Sequence, residues 1–349
     1  IRVAQRLSGS RLLNVALDLT QLPAPEEITG VTADNFKARL TDIYRPAVLR
    51  GFARHWPLVQ AGRQSEIAAA RFLQQHSKDL PQVLLKLPST VKGRLFYNET
   101  VTGMNFGGSQ MRMNAAIEQM LQRNVTDERY CVQCVPVQQN FDSLQLDNPL
   151  LPPDTKAFIW LGNSVTVPAH FDEASNIAVV VAGKRRFTLF PPEQIGNLYI
   201  GPLDLTPAGQ PISMVNMLQP DLAAHPDYPK AYAAALSVEL EPGDAIYIPT
   251  PWWHHVQSLS QFNVLVNYWW SDTYVASALP FPMLLHALLS FKHMSEGQQH
   301  AWRQLLKHYL FAENGDPAAH LPAQARGVLG ELTPQLAQGI HQWLANQLK

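Results

Sequence analysis

The sequence predicts a mainly β fold of the sandwich or barrel type, flanked by helices at both ends. Three observations carry this. Between Arg129 and Trp270, short β-branched and aromatic runs follow one another between Pro and Gly turn signals, which favours a sandwich or barrel over a doubly wound sheet. The residues before this stretch mix helical and extended patterns, whereas those after Ser271 are helical throughout. Hydrophobic residues make up 46% of the 349-residue chain and charged residues only 16%, against roughly 25% charged in an average domain, so the chain can bury a sizeable core.

Taken in order, Thr32–Leu40 reads as a capped amphipathic helix, with Phe36 and Leu40 four apart. A short apolar strand, Arg45–Gly51, follows. A second helix spans Ser65–Gln75, with Ile67, Ala70 and Leu73 at helical spacing. Val83–Lys86 and Arg94–Tyr97 have strand composition, and Ala115–Gln122 is helical. The β-rich stretch contains Tyr130–Val135, Ala157–Leu161, Asn176–Ala182, Arg186–Phe190, Leu236–Leu240, Ala245–Ile248 and Phe262–Trp269. Its Pro-, Gly- and Asp-rich segment Tyr199–Tyr232 reads as a long insertion, of the kind used for lids and binding loops. Met283–Phe291, Ala301–Phe311 and Thr333–Leu348 complete a helical end. The expected organisation is an N-terminal mixed α/β region at 1–125, a β unit at 126–275 with its insertion at about 199–232, and a C-terminal helical region at 276–349.

Composition also bounds function. Lys+Arg number 27 and Asp+Glu 28, a net charge of −1, which supplies no electrostatic footprint for wrapping nucleic acid or lying on an anionic membrane. The apolar run Ala278–Phe291 is too short for the roughly 20 residues of a membrane helix and reads as a buried helix. The first residues, Ile1-Arg2-Val3-Ala4, lack the charged-then-apolar pattern of a signal peptide, so a cytoplasmic location is expected. Two cysteines, Cys131 and Cys134, are too few for a disulfide scaffold or a four-thiolate zinc site and are expected to pack as ordinary strand residues.

The most informative segment is Val167-Pro-Ala-His170-Phe-Asp172-Glu-Ala-Ser-Asn176. On a strand, residues two apart share a face, so His170 and Asp172 can offer an imidazole and a carboxylate to one ion. A lone His-x-Asp is weak: His225-Pro-Asp227 is a second example, set among prolines that disfavour a paired strand. What lifts the first pair is the later run Glu241-Pro-Gly-Asp-Ala-Ile-Tyr-Ile-Pro249-Thr-Pro-Trp-Trp-His254-His255, where a turn and two strands return histidines to the site. Two His and one carboxylate form the ligand set of non-haem Fe(II) oxygenases, leaving positions for a bidentate 2-oxo acid and O2. Spacing alone does not choose between His254 and His255, which fall on opposite faces.

These segments resemble the JmjC, or cupin-like, Fe(II)- and 2-oxoglutarate-dependent oxygenases, in particular their bacterial members and the asparaginyl-hydroxylase branch. The resemblance rests on Pro168–Glu173 with Asn176, Gly183-Lys-Arg-Arg-Phe-Thr-Leu-Phe-Pro-Pro192, Gly243–Pro249, Trp252–His255 and Val266-Asn-Tyr-Trp269, and extends to Arg45–Gly51. It implies a double-stranded β-helix with flanking helices, Fe(II) held by His170, Asp172 and His254, and His255 turned away. It places the cosubstrate-binding cation at Arg185, where relatives most often carry Lys, and strand alternation sets Arg185 inward with Phe187 and Leu189 while Lys184 faces out. Asn176 and Asn267 match positions that contact the cosubstrate or support the metal. Val167 stands where a hydroxyl is common, with Thr166 adjacent, and Cys131 stands where some relatives have a cosubstrate-binding Tyr, with Tyr130 adjacent. Gln133 matches a substrate-side position.

The function so implied is a hydroxylase that consumes O2 and 2-oxoglutarate, releases succinate and CO2, and acts on a protein side chain or small molecule. A metal- or ligand-binding cupin without turnover and a zinc hydrolase with the same ligands are the competing readings. The helices after 276 carry wide apolar faces, Trp302, Leu305, Leu306, Tyr309 and Leu310 on one and Leu336, Ile340, Trp343 and Leu344 on another, and imply a homodimer.

Overall fold

A computed structural model of the chain describes residues 17–122, 127–271 and 280–348. The opening tetrapeptide lies outside them. The chain divides into two compact units, residues 1–270 and 271–349.

In the first unit, β1 (Glu26–Glu27), β2 (Ala47–Leu49), β3 (Pro81–Leu87), β4 (Gly107–Arg112) and β5 (Arg129–Pro136) precede a second group of strands. These are β6 (Ala157–Gly162), β7 (Thr166–His170), β8 (Ser175–Ala182), β9 (Arg185–Phe190), β10 (Leu236–Leu240), β11 (Ala245–Ile248), β12 (Trp253–Ser258) and β13 (Asn263–Trp270). The larger sheet has the order β1-β2-β11-β8-β13-β6-β5-β3-β4 and the smaller β10-β9-β12-β7. From β6 to β9, and again from β10 to β13, consecutive strands alternate between the two sheets. This is jelly-roll winding, with two open sheets rather than a closed barrel. The N-terminal strands extend the larger sheet instead of forming a body of their own.

The interior between the sheets is apolar: Ala178, Val180, Phe187, Leu189, Ile246 and Val256 pack together. All eight residues of β8 are buried. Its other face, Ile177, Val179 and Val181, is covered by helices α1 (Pro57–Gln64) and α2 (Glu66–His76) through residues such as Val59, Ala69 and Leu73. Burial on both faces explains why β8 reads as an unbroken apolar run. Helix α1 approaches so closely that a Cβ at Gly62 would lie 2.0 Å from the Val181 carbonyl oxygen, so only glycine fits. Helix α3 (Met113–Leu121) and short helices α4 (Val137–Asn140) and α5 (Tyr228–Ala233) complete this unit.

The second unit contains α6 (Pro280–Phe291), α7 (Glu296–Tyr309) and α8 (Pro334–Gln347). Ser295 and Gln298 form a reciprocal capping box at the start of α7, and Thr333 caps α8.

The structure corrects three local expectations. Thr32–Leu40 does not form a capped α-helix; the segment winds only into a wider π-helical turn at Lys37–Thr41, with no side-chain cap. Arg94–Tyr97 makes isolated bridges to Thr166 and Met104 instead of a strand, because Asn105 takes up its remaining backbone groups. The segment read as a buried helix has no buried residue from Pro280 to Phe291, and Leu289 is 82% exposed.

Candidate metal centre

Strands β7 and β12 are antiparallel neighbours whose register sets His170 directly opposite His254. This register brings His254, and not the adjacent His255, against His170. His254 shares a face with His170, their ring centroids 4.2 Å apart, whereas His255 lies on the opposite face. Asp172 follows the end of β7, and its Oδ2 is 3.6 Å from His254 Nε2. Ligand atoms of His170, Asp172 and His254 all lie within 4.8 Å of one another, and among the described residues they are the group able to hold a metal ion.

Each histidine is oriented by its own strand. The ring Nδ1 of His170 lies 2.9 Å from the Pro168 carbonyl oxygen and that of His254 lies 3.1 Å from the Trp252 carbonyl oxygen. A carbonyl only accepts, so both Nδ1 atoms carry the proton and both Nε2 lone pairs are free for a metal. Burial, followed by the neighbouring His170, pushes the pKa of His254 down to about 4 against the opposing pull of Asp172, which keeps the ring neutral, as a ligand must be. Asp172 is held in turn. Trp269 donates its indole N–H to Oδ2 at 2.9 Å, Asn176 donates its amide to the same oxygen at 3.3 Å, and the Thr250 hydroxyl donates to the Asp172 carbonyl at 2.5 Å.

Arg185 begins β9, just after Gly183, whose φ of +72° makes the turn; a Cβ there would meet Asn263 Oδ1 at 2.6 Å. Only 6% of Arg185 is exposed, it forms no ion pair among the described residues, and its Nε lacks a hydrogen-bond partner. Burial pushes its pKa down to about 10, with Cys131 opposing. A buried cation without a counter-charge is costly unless an anionic ligand completes it. The Cys131 thiol beside it does not do so, because burial pushes its pKa up to about 12. Asn267 accepts from the Trp160 indole N–H at 2.6 Å, yet its own amide nitrogen is buried and unpartnered, as is Asn176 Oδ1. A metal-binding triad with unsatisfied polar groups and an unpaired arginine on the same interior fits a metal plus an anionic cosubstrate.

The other sequence candidates fall in several places. Gln133 lines a small cavity with His170, Leu95, Gln210 and Ile212. Tyr130 points into the core beside Ile117 and Met120, and its hydroxyl donates to Glu128 Oε2 at 2.8 Å; strand alternation gives the inward position to Cys131. Thr166 lines an outer cleft with His255, while Val167 packs against the interior. Cys134 is exposed at a bulge between Val132 and Val135 with φ of 54°, so only Cys131 packs as a strand cysteine. Trp269 and Thr250 were not anticipated as supports. Trp269 was reachable from the sequence, since it shares a strand face with Asn267.

A family described as the cupin-like domain matches residues 33–276. The chain belongs to the cupin-like family, with JmjC-type relatives. This cupin-like protein is 34% identical over 113 residues to HSPB1-associated protein 1 of Homo sapiens, a match covering 32% of this chain and 22% of that protein. It is 24% identical over 284 residues to Jumonji C domain-containing protein 5 of Drosophila melanogaster, covering 73% of this chain and 65% of that protein. It is 38% identical over 101 residues to tRNA wybutosine-synthesizing protein 5 of Mus musculus, covering 29% of each. The cupin-like chain thus spans less than a quarter of the length of the human relative. No helix among the described residues is long and apolar enough to cross a membrane.

Proposed function

We propose that the protein is an Fe(II)- and 2-oxoglutarate-dependent oxygenase that hydroxylates a protein side chain or a small molecule. The observation that carries this reading is one interior holding both the His170–Asp172–His254 cluster and the buried, unpaired Arg185. Leu189, the cross-strand neighbour of His254, stands four residues along β9 from Arg185, or about 13 Å of strand. An extended arginine side chain and a five-carbon dicarboxylate together span such a gap.

When bound, Fe(II) and 2-oxoglutarate supply the oxidising chemistry, with succinate and CO2 as coproducts. The chain's own residues fix where that chemistry happens. The Pro168 and Trp252 carbonyls hold both imidazoles with Nε2 presented inward, and Trp269 and Asn176 hold the Asp172 carboxylate against rotation. Arg185 takes the distal carboxylate of the cosubstrate in a charge-assisted pair, with Asn267 offering an amide N–H nearby. Phe187, Leu189 and Val256 exclude water from the interior. Gln133 and Gln210 face the substrate side beside His170. A net charge of −1 supplies no broad basic surface, which favours a protein or small-molecule substrate over nucleic acid. Two free thiols, Cys131 and Cys134, suit a reducing compartment such as the cytoplasm.

The second unit carries the exposed side chains Leu289, Phe311, Trp343 and Leu348, at 82, 65, 61 and 65%. Exposed apolar side chains of this kind are covered by a second copy of the chain in our reading, giving a two-fold homodimer.

The test of the function is calorimetric titration with 2-oxoglutarate, with and without a divalent metal. Binding that strengthens by tenfold or more when metal is present supports chelation at the triad. Equal binding in both conditions would overturn it.

A further inference from the structure

A cleft of about 320 Å³ lies on the outer face of the smaller sheet, on the side of β12 away from the metal cluster. Its charged or ionisable lining residues are Lys92, Arg94 and His255, and no Asp or Glu lines it. The position of Arg94 is fixed by the backbone. Leu95 N–H donates to the Thr166 carbonyl and Thr166 N–H donates to that of Gly93, so residues 93–95 lie along the edge of β7. Asn105 brackets the same segment, accepting from Phe96 N–H and donating to the Arg94 carbonyl, both at 3.0 Å.

The Arg94 guanidinium sits 3.6 Å from the centroid of the Phe96 ring. Its Nη2 donates to the Met214 and Val215 carbonyls at 3.3 and 3.2 Å, which pins the group while leaving Nε and Nη1 without a partner among the described residues. It forms no ion pair there. Burial pushes its pKa down to about 10, the direction expected of a cation lacking a counter-charge. His255 is the second, independent observation. It is 3% exposed, and its Nδ1 is buried with no hydrogen-bond partner among the described residues. A buried polar atom left unsatisfied is costly, so native structures rarely retain one without a use.

We propose that this cleft is a binding site for a small oxyanion, a carboxylate or a phosphate, held by Arg94 and Lys92 with His255 as hydrogen-bond partner. The site is separate from the cosubstrate position at Arg185, which faces the interior between the sheets. Two cations without an acid give the selectivity for negative charge, and the planar guanidinium gives directional donors to paired oxygens.

The test is calorimetric titration of the full chain with inorganic phosphate and, separately, with malonate. A saturable site that persists when Arg185→Gln silences the cosubstrate position is expected for at least one probe, and the preferred probe tells a phosphate-type ligand from a carboxylate. In that Arg185→Gln background, Arg94→Gln should weaken binding roughly tenfold or more and Lys92→Gln about threefold. Hydrogen exchange of the unmodified chain gives a check independent of variant folding: the bound probe should slow exchange at residues 90–96 and 215–219. Saturable binding of neither probe, loss with Arg185→Gln but not with Arg94→Gln, or unchanged exchange in both segments would each overturn the proposal.

Discussion

Trp269 and Asn176 are cross-strand partners in the β13–β8 ladder, and both donate to the same oxygen, Asp172 Oδ2, at 2.9 and 3.3 Å. One register therefore fixes the carboxylate from two sides. Supports of this kind commonly govern metal affinity 10–100-fold. Trp269→Phe keeps the ring but removes the donor, and should weaken Fe(II) binding by about that range with little change in the unfolding midpoint. Metal titration beside a denaturation curve checks it; unchanged affinity would show that Asp172 needs no such support.

The pairing of His170 with His254 across β7 and β12 sets a sharper expectation for the adjacent histidines. His254→Ala should lose most bound metal and His255→Ala should keep it. Equal loss, measured by elemental analysis after anaerobic loading, would place the metal on the wrong face of β12.

Among the described residues Arg185 is buried without an acidic partner, while Lys184 is exposed and bonds Glu241 at 2.6 Å. Breaking one side of a buried charge pair costs about 3–5 kcal/mol, or roughly two to nearly four orders of magnitude in affinity. Arg185→Ala should weaken 2-oxoglutarate binding on that scale and Lys184→Ala hardly at all. Comparable affinities in calorimetry would remove Arg185 from the cosubstrate site.

Burial, then Arg94, His170 and Arg186, push the pKa of His255 down to about 3. The folded group stays neutral where the unfolded one, near 6.5, takes up a proton, so its contribution to stability is present above about pH 6.5 and is lost as pH falls towards 3. Urea unfolding of metal-free protein from pH 7.5 to 4.5 should therefore show a pH slope that is shallower in His255→Ala, by at most about 1.4 kcal/mol per pH unit. Parallel slopes would contradict the assignment.

The exposed apolar faces of α7 and α8 predict a dimer. Light scattering should give roughly twice the 39.0 kDa chain mass, and removal of residues 330–349 should shift the protein towards monomer or aggregate. A monodisperse monomer at high micromolar concentration would count against the dimer and leave the metal centre unaffected.

Much of this architecture was legible in the sequence because its signals were local. Alternation along Arg185–Leu189 and the His170-x-Asp172 spacing depend only on the period of a strand, so inward faces could be read directly. Other features depended on long-range register. The choice between His254 and His255 is made by the partner strand, and the face of Tyr130 by the same alternation that puts Cys131 beside Arg185. The helix expected at Thr32–Leu40 lacked a side-chain cap, and Asn35 instead bonds the Gly30 carbonyl and accepts from Thr32 N–H, a local competition that favours a turn. Strand β4, Gly107–Arg112, is mostly exposed and polar, and carries little of the hydrophobic pattern that marks a strand.

The central claim is that the triad and Arg185 together serve turnover rather than binding alone. Protein purified without oxygen, loaded with Fe(II) and given 2-oxoglutarate and O2, should release succinate and CO2 in equal amounts, and Asp172→Ala should abolish the release. Metal and 2-oxoglutarate that bind with the expected affinities but yield no succinate, with every candidate substrate and without one, would contradict the account and leave a cupin that binds without catalysis.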